Sequence, residues 1–254
     1  MISLITEDWR IDNIETVLFD KDGTFIDLHY FWGKMTEMRA QAVIKKYSLL
    51  QGAFEKLCLF LGYDSKSGKM LSDGITALYS RSKIIEIFKA NLQELGINST
   101  TLELEEIFDS VSNEFYKNIN DYTKPIIEAI NFIHELHSLD IKMGIVTSDS
   151  VESTGLTLKH FGWEKYFGVV IGRESSEFTK ESGEPTKLAL IALNANTETT
   201  VMIGDAPTDY VSAKNAGVNK TILVTGGTGY IGSHTVVELL NKDFANCNGT
   251  SSTI

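Results

Sequence analysis

The chain has 254 residues, 43% of them hydrophobic, with 3 prolines and 20 glycines. That suffices for a packed core of one large domain, or one domain with an inserted module, and excludes collagen-like and disordered classes. Its formal net charge of -11 disfavours nucleic-acid backbones and anionic membranes as partners.

Two distant cysteines, Cys58 and Cys247, give neither a disulfide framework nor zinc-ligand spacing, which points to a reducing, cytoplasmic setting. The acidic start of the chain does not look like a secretory signal. No apolar run approaches the ~20 residues that span a bilayer.

In chain order, residues 16–19 form a short β-prone apolar run that ends in Asp20. Residues 32–118 show no clear strand. Ile85, Phe88, Leu92 and Leu95 recur at helical steps, as do Leu104, Phe108, Val111 and Phe115, so amphipathic helices are expected. Residues 62–74, rich in Ser, Lys and Gly, read as a loop.

From residue 123 helices and strands alternate. Helices are expected at 126–139, 151–161, 185–193 and 210–216. Strands are expected at 141–147, 168–172, 200–203 and 221–224. This alternation predicts an α/β fold: a Rossmann-like parallel sheet with helices on both faces and ligands at the carboxyl ends of the strands. The expected division is a core of residues 1–28 and 119–254, with residues 29–118 inserted as an α-helical cap.

Four stretches at strand ends carry chemistry. Asp20-Lys21-Asp22-Gly23-Thr24 sets two carboxylates two residues apart, one able to attack phosphorus and the other to move a proton. A calcium loop is excluded, since its twelfth position would be Phe31 and its glycine falls at the fourth position. Thr147-Ser148 offers hydroxyls and main-chain N–H groups to a phosphate, or serves as a helix N-cap. A lysine is needed to neutralise transferring phosphoryl oxygens; Lys180 in a loop and Lys187 inside a helix compete, and Lys180 is the choice. Gly204-Asp205-Ala206-Pro207-Thr208-Asp209 adds carboxylates suited to Mg²⁺, although Asp209 could simply be the acid of a helix start.

Together, Asp20-x-Asp22-Gly23-Thr24, Thr147, Lys180 and Gly204-Asp205-x-x-x-Asp209 resemble the four signature motifs of haloacid-dehalogenase-like hydrolases. The long gap after the first motif resembles the phosphoglycolate-phosphatase-like branch. One departure lies in the third motif: Lys180-Glu181-Ser182-Gly183-Glu184-Pro185 keeps the lysine and the last proline of Lys-Pro-x-Pro-x-Pro and lacks the first two prolines.

The resemblance implies a Mg²⁺-dependent phosphatase acting on a small phosphomonoester through an aspartyl-phosphate. Asp20 would be nucleophile and Asp22 general acid/base. Thr147, Ser148 and Lys180 would bind the phosphoryl group. Asp20, the Asp22 carbonyl and Asp205 would hold the metal, with Asp209 in support. A phosphomutase would share every motif. Substrate selection would fall to the cap, where His29, Trp32, Arg39, Lys69 and Arg81 are candidates.

A second, shorter resemblance covers residues 221–240. Gly226-x-x-Gly229-x-x-Gly232 after a strand is similar to the start of a nucleotide-sugar epimerase, which implies a dinucleotide-binding or non-catalytic module. That site needs an acidic residue ~20 positions further on, whereas a polar tail follows here. The expectation is therefore a last core strand at 221–224 followed by a glycine turn.

Overall fold

The computed structural model describes residues 1–5, 9–225 and 236–240. The glycines of the epimerase-like stretch and the polar tail lie outside the described residues.

The chain begins with strands β1 (Ile2–Ile5), β2 (Arg10–Ile14) and β3 (Thr16–Phe19). It continues through α1 (Leu28–Tyr47), α2 (Phe54–Phe60), β4 (Tyr63–Asp64), β5 (Lys69–Met70), α3 (Ile75–Leu78), α4 (Arg81–Glu94), α5 (Thr101–Lys117) and α6 (Ile119–Tyr122). It then alternates through α7 (Ile127–Ser138), β6 (Lys142–Val146), α8 (Val151–Phe161), β7 (Val169–Ile171), α9 (Glu184–Ala192), β8 (Thr200–Gly204), α10 (Pro207–Asn215), β9 (Lys220–Thr225) and β10 (Val236–Leu240). Two compact units result: Met1–Asp27 with Pro125–Ile254, and Leu28–Lys124.

In the first unit the main sheet has the order β10-β9-β8-β3-β6-β7. Strands β9, β8, β3, β6 and β7 run parallel, and β10 pairs antiparallel with β9. This is the expected α/β fold. All four residues of β3 are buried, as a parallel strand covered on both faces requires. On one face Leu18, Val146 and Met202 pack with Ala189, Leu190, Ala213 and Val218. The Phe19 ring meets those of Phe25, Phe132 and Phe167 edge-on.

The alternation left two hairpins unannounced. β1 pairs antiparallel with β2 in a separate two-stranded sheet. β4 pairs with β5 inside the stretch read as a loop. The two-residue strands β4 and β5 are too short to produce an alternating pattern.

The helical unit has its own core, including Phe31, Phe88, Phe108 and Phe115, all fully buried. Helix α5 starts at a reciprocal cap: Thr100 Oγ1 accepts from Glu103 N at 3.2 Å, and Glu103 Oε2 accepts from Thr100 N at 2.8 Å. The unit runs past residue 118 because α6 stays packed on it. Ile119 is buried, Tyr122 stacks on Phe115, and Tyr30 donates to the Asp121 carbonyl at 3.0 Å.

Three of the proposed selectivity residues are engaged within this unit. Arg39 lies buried over the Phe108 ring at 4.3 Å, Arg81 pairs with Asp109 at 2.6 Å, and His29 Nδ1 accepts from Met70 N at 3.1 Å. No helix among the described residues is long and apolar enough to cross a membrane.

Candidate active site

Register sets the site. Phe19 at the end of β3 lies opposite Ile145 of β6 and Ile203 of β8, so the residues that follow emerge from neighbouring strands at the same edge. Asp20 N donates to the Ile203 carbonyl at 2.8 Å, and Thr147 N to that of Ile171 at 2.9 Å. The chain runs from the central β3 to β6 and β7 on one side, then to β8 and β9 on the other. This edge is therefore the switch point where open α/β sheets bind ligands.

Two glycines let the strand ends close on each other. Gly23 has φ of +92°, and a Cβ there would stand 2.0 Å from Asp205 Oδ2. A Cβ on Gly204 would stand 2.1 Å from Asp209 Oδ2. Any side chain at either place would occupy the position of a carboxylate.

Asp20, Asp205 and Asp209 each contribute one carboxylate oxygen to a group in which all lie within 4.8 Å of one another. Lys180 Nζ reaches into it, 2.6 Å from Asp20 Oδ1 and 2.5 Å from Asp209 Oδ1. A single helical turn, Lys180–Ser182, carries the lysine. Behind it Gly183, with φ of +83°, has no room for a Cβ against the Asn215–Ala216 main chain. Lys187 instead pairs with Glu184 at 2.7 Å on the surface of α9. Asp209 does both things weighed for it. It lies in the first turn of α10, where Oδ2 accepts from Ala206 N at 3.0 Å, and its other oxygen meets Lys180.

Burial pushes the Asp20 carboxyl up to about 6; Lys180 opposes the rise and Asp209 adds to it. Asp205 is pushed up to about 8, by burial first and then by Asp20 and Asp209. Burial pulls Lys180 down, but attraction to Asp20 and Asp209 outweighs it and holds the ammonium above its ordinary range. Three carboxylates against one ammonium leave an excess of negative charge in a desolvated place. Such a set of hard oxygen donors fits a divalent cation of the magnesium kind.

The Asp22 carboxylate is not a member of this group. It is drawn instead to Lys21, whose fully buried Nζ lies 2.6 Å from Asp22 Oδ1 and 3.1 Å from Asp149 Oδ2. Burial raises Asp22 to about 6, Lys21 pulls it back, and Asp149 and Asp20 push it further up. Thr147 is buried, and its hydroxyl accepts from Asp149 N at 3.1 Å; Ser148 is exposed.

Lys21 and Asp149 are site residues that the motif reading passed over. The available signal was a lysine between two acids directly after a buried strand, with an acid two residues beyond the end of the adjacent one.

A parallel sheet with carboxylates and a buried lysine at its switch point fits a phosphohydrolase. The chain belongs to the haloacid dehalogenase-like hydrolases: residues 69–224, more than half of it, match that family's model. The Asp20–Thr24 stretch lies upstream of the matched residues.

The chain is 27% identical over 210 residues to pyrophosphatase PpaX of Halalkalibacterium halodurans, covering 83% of each protein. It is 27% identical over 208 residues to pyrophosphatase PpaX of Listeria monocytogenes, covering 80% of each. A predicted phosphoglycolate phosphatase from Haemophilus somnus shares the fold with a TM-score of 0.63 at 14% identity, over 84% of this chain and 85% of that one. CbbY from Rhodobacter sphaeroides does so with a TM-score of 0.58 at 16% identity, over 85% and 89%.

Proposed function

We propose that this hydrolase is a Mg²⁺-dependent phosphatase that cleaves a small phosphomonoester through an aspartyl-phosphate on Asp20. The observation that carries the reading is the Lys180 ammonium set between Asp20 and Asp209, with Asp205 in the same cluster. A nucleophilic carboxylate, an oxygen-rich cation site and a buried ammonium for phosphoryl oxygens are what in-line phosphoryl transfer needs.

Asp20 Oδ bonds to phosphorus as the ester P–O bond breaks, and Asp22 gives its proton to the leaving oxygen. Water then bonds to phosphorus, the bond to Asp20 breaks, and Asp22 takes the water's proton. Thr147, Ser148 and Lys180 hold the phosphoryl oxygens. Asp20, Asp205 and the Asp22 carbonyl would hold the cation, with Asp209 in support. When bound, Mg²⁺ screens the repulsion between Asp20 and the incoming phosphate. The helical unit supplies substrate selectivity, and with a net charge of -11 the partner is a small phosphate ester rather than nucleic acid.

A second reading takes inorganic pyrophosphate as substrate; the names of the relatives at 27% identity favour it. The same motifs would also serve a phosphomutase, which the hydrolase family and those relatives' names make the weaker choice.

Phosphate release from phosphoglycolate, sugar phosphates and pyrophosphate, with Mg²⁺ and with chelator, tests this. Turnover is expected with Mg²⁺ only, and Asp20→Asn should abolish both turnover and the phosphoenzyme. Full activity in chelator, or label trapped on another residue, would overturn the proposal.

A further inference from the structure

Lys21 is fully buried, and its ammonium stands between two carboxylates on neighbouring strand ends. One, Asp22, is the proton carrier of the proposed reaction. The other, Asp149, is held from several sides. Its Oδ1 accepts from Ser150 N at 2.8 Å, its N–H donates to Thr147 Oγ1 at 3.1 Å, and its carbonyl accepts from Arg173 N at 2.9 Å. Gly172 leaves no slack behind it, since a Cβ there would lie 2.8 Å from the Asp149 carbonyl oxygen. The fixed point is thus the turn after β6, and Lys21 transmits it to the turn after β3.

We propose that Lys21, anchored by Asp149, is a positioning residue that fixes the Asp22 carboxylate in one orientation for both proton transfers. This rests on the phosphatase reading above. A carboxylate on a rigid, charged hydrogen bond cannot swivel about its terminal torsion, and proton transfer depends on that geometry. The arrangement also ties the proton carrier to Thr147, so the phosphate-binding turn and the acid move as one piece.

The test compares p-nitrophenyl phosphate, whose leaving oxygen needs no proton, with phosphoglycolate, whose leaving oxygen does. Lys21→Met alone would orphan two buried carboxylates. Lys21→Met with Asp149→Asn orphans one buried carboxylate instead of two and keeps the net charge of the trio, and its melting curve checks that the fold holds. Asp149→Asn alone keeps the Lys21–Asp22 pair and removes only the anchor.

For the double variant the expected result is an unchanged KM and a kcat lowered about 100-fold on phosphoglycolate. The phosphoenzyme burst from p-nitrophenyl phosphate should be kept within a few-fold. Asp149→Asn should show the same selectivity at about tenfold. Equal slowing of phosphoenzyme formation on both esters, or no slowing on either, in a variant that melts like the wild type would overturn the proposal. Wild-type protein that turns over neither ester would instead overturn the phosphatase reading, and this one with it.

Discussion

Binding of Mg²⁺ should expel a proton from Asp205. Its carboxyl is pushed up to about 8, by burial first and by Asp20 and Asp209 after that. Below that pH the cation competes with the proton, and the apparent dissociation constant scales as one plus ten to the power of the difference. The factor is ~2 at pH 8 and ~100 at pH 6, so binding should weaken ~50-fold, or ~2.3 kcal/mol. Titration calorimetry in two buffers of different ionisation enthalpy reads both quantities, with roughly one proton released per cation near pH 7.

Asp205→Asn should bind more weakly at pH 8 and lose most of the pH slope. An apparent constant that changes less than about threefold between pH 8 and pH 6 would refute the reasoning. So would a slope that survives Asp205→Asn.

The same shift has a stability side. The folded, metal-free chain holds more protons than the unfolded one between the ordinary carboxyl value and about 8, so its stability falls as pH rises through that window. The Mg²⁺-dependent rise in Tm should therefore be larger at pH 8 than at pH 6.

Gly204→Ala would place a Cβ 2.1 Å from Asp209 Oδ2, so the carboxylate must leave its place. Activity and Mg²⁺ binding should both fall at least about tenfold while circular dichroism is kept; unchanged Mg²⁺ affinity would refute this. Asp22→Asn should let the phosphoenzyme accumulate on p-nitrophenyl phosphate, seen as an added phosphoryl mass on Asp20, and its absence would remove Asp22 from the hydrolytic step. Phe108→Ala deletes a fully buried ring that packs on Phe88 and Arg39, and should cost ~3–5 kcal/mol by urea denaturation. A loss below ~1 kcal/mol would mean the helical unit repacks around the gap.

The parallel sheet was readable because each of its strands is a short apolar run bounded by turn residues and followed by a helical period. Asp20 and Asp205 could be picked out for the same reason: acids directly after buried strands are conspicuous, and Asp209 followed from its spacing to Asp205. Lys180 was harder, since the pattern admitted Lys187 as well. What separates them is a tertiary fact, the seating of the Lys180 turn against α10 through Gly183. Lys21 and Asp149 escaped because a lysine beside two acids and an aspartate near a helix start are usually solvated or capping. Only strand pairing shows that these two charges meet. The β4–β5 hairpin escaped because pairing partners, rather than composition, make two-residue segments into strands, and β2 escaped because Arg10, Asp12 and Asn13 leave it no apolar run.

The place where the helical unit departs from the sheet domain is also the place where the chain returns to it. Ile26 and Pro125 form an isolated antiparallel bridge, and Ile126 N donates to the Phe25 carbonyl at 3.0 Å. The interruption enters and leaves through one doorway, with its door-posts bonded to each other by the core's own backbone. Residues 28–124 can therefore be lengthened, shortened or exchanged in evolution without stretching the frame that aligns Asp20 with its neighbours. A lineage can change the helical unit while the sheet that carries Asp20 stays as it was.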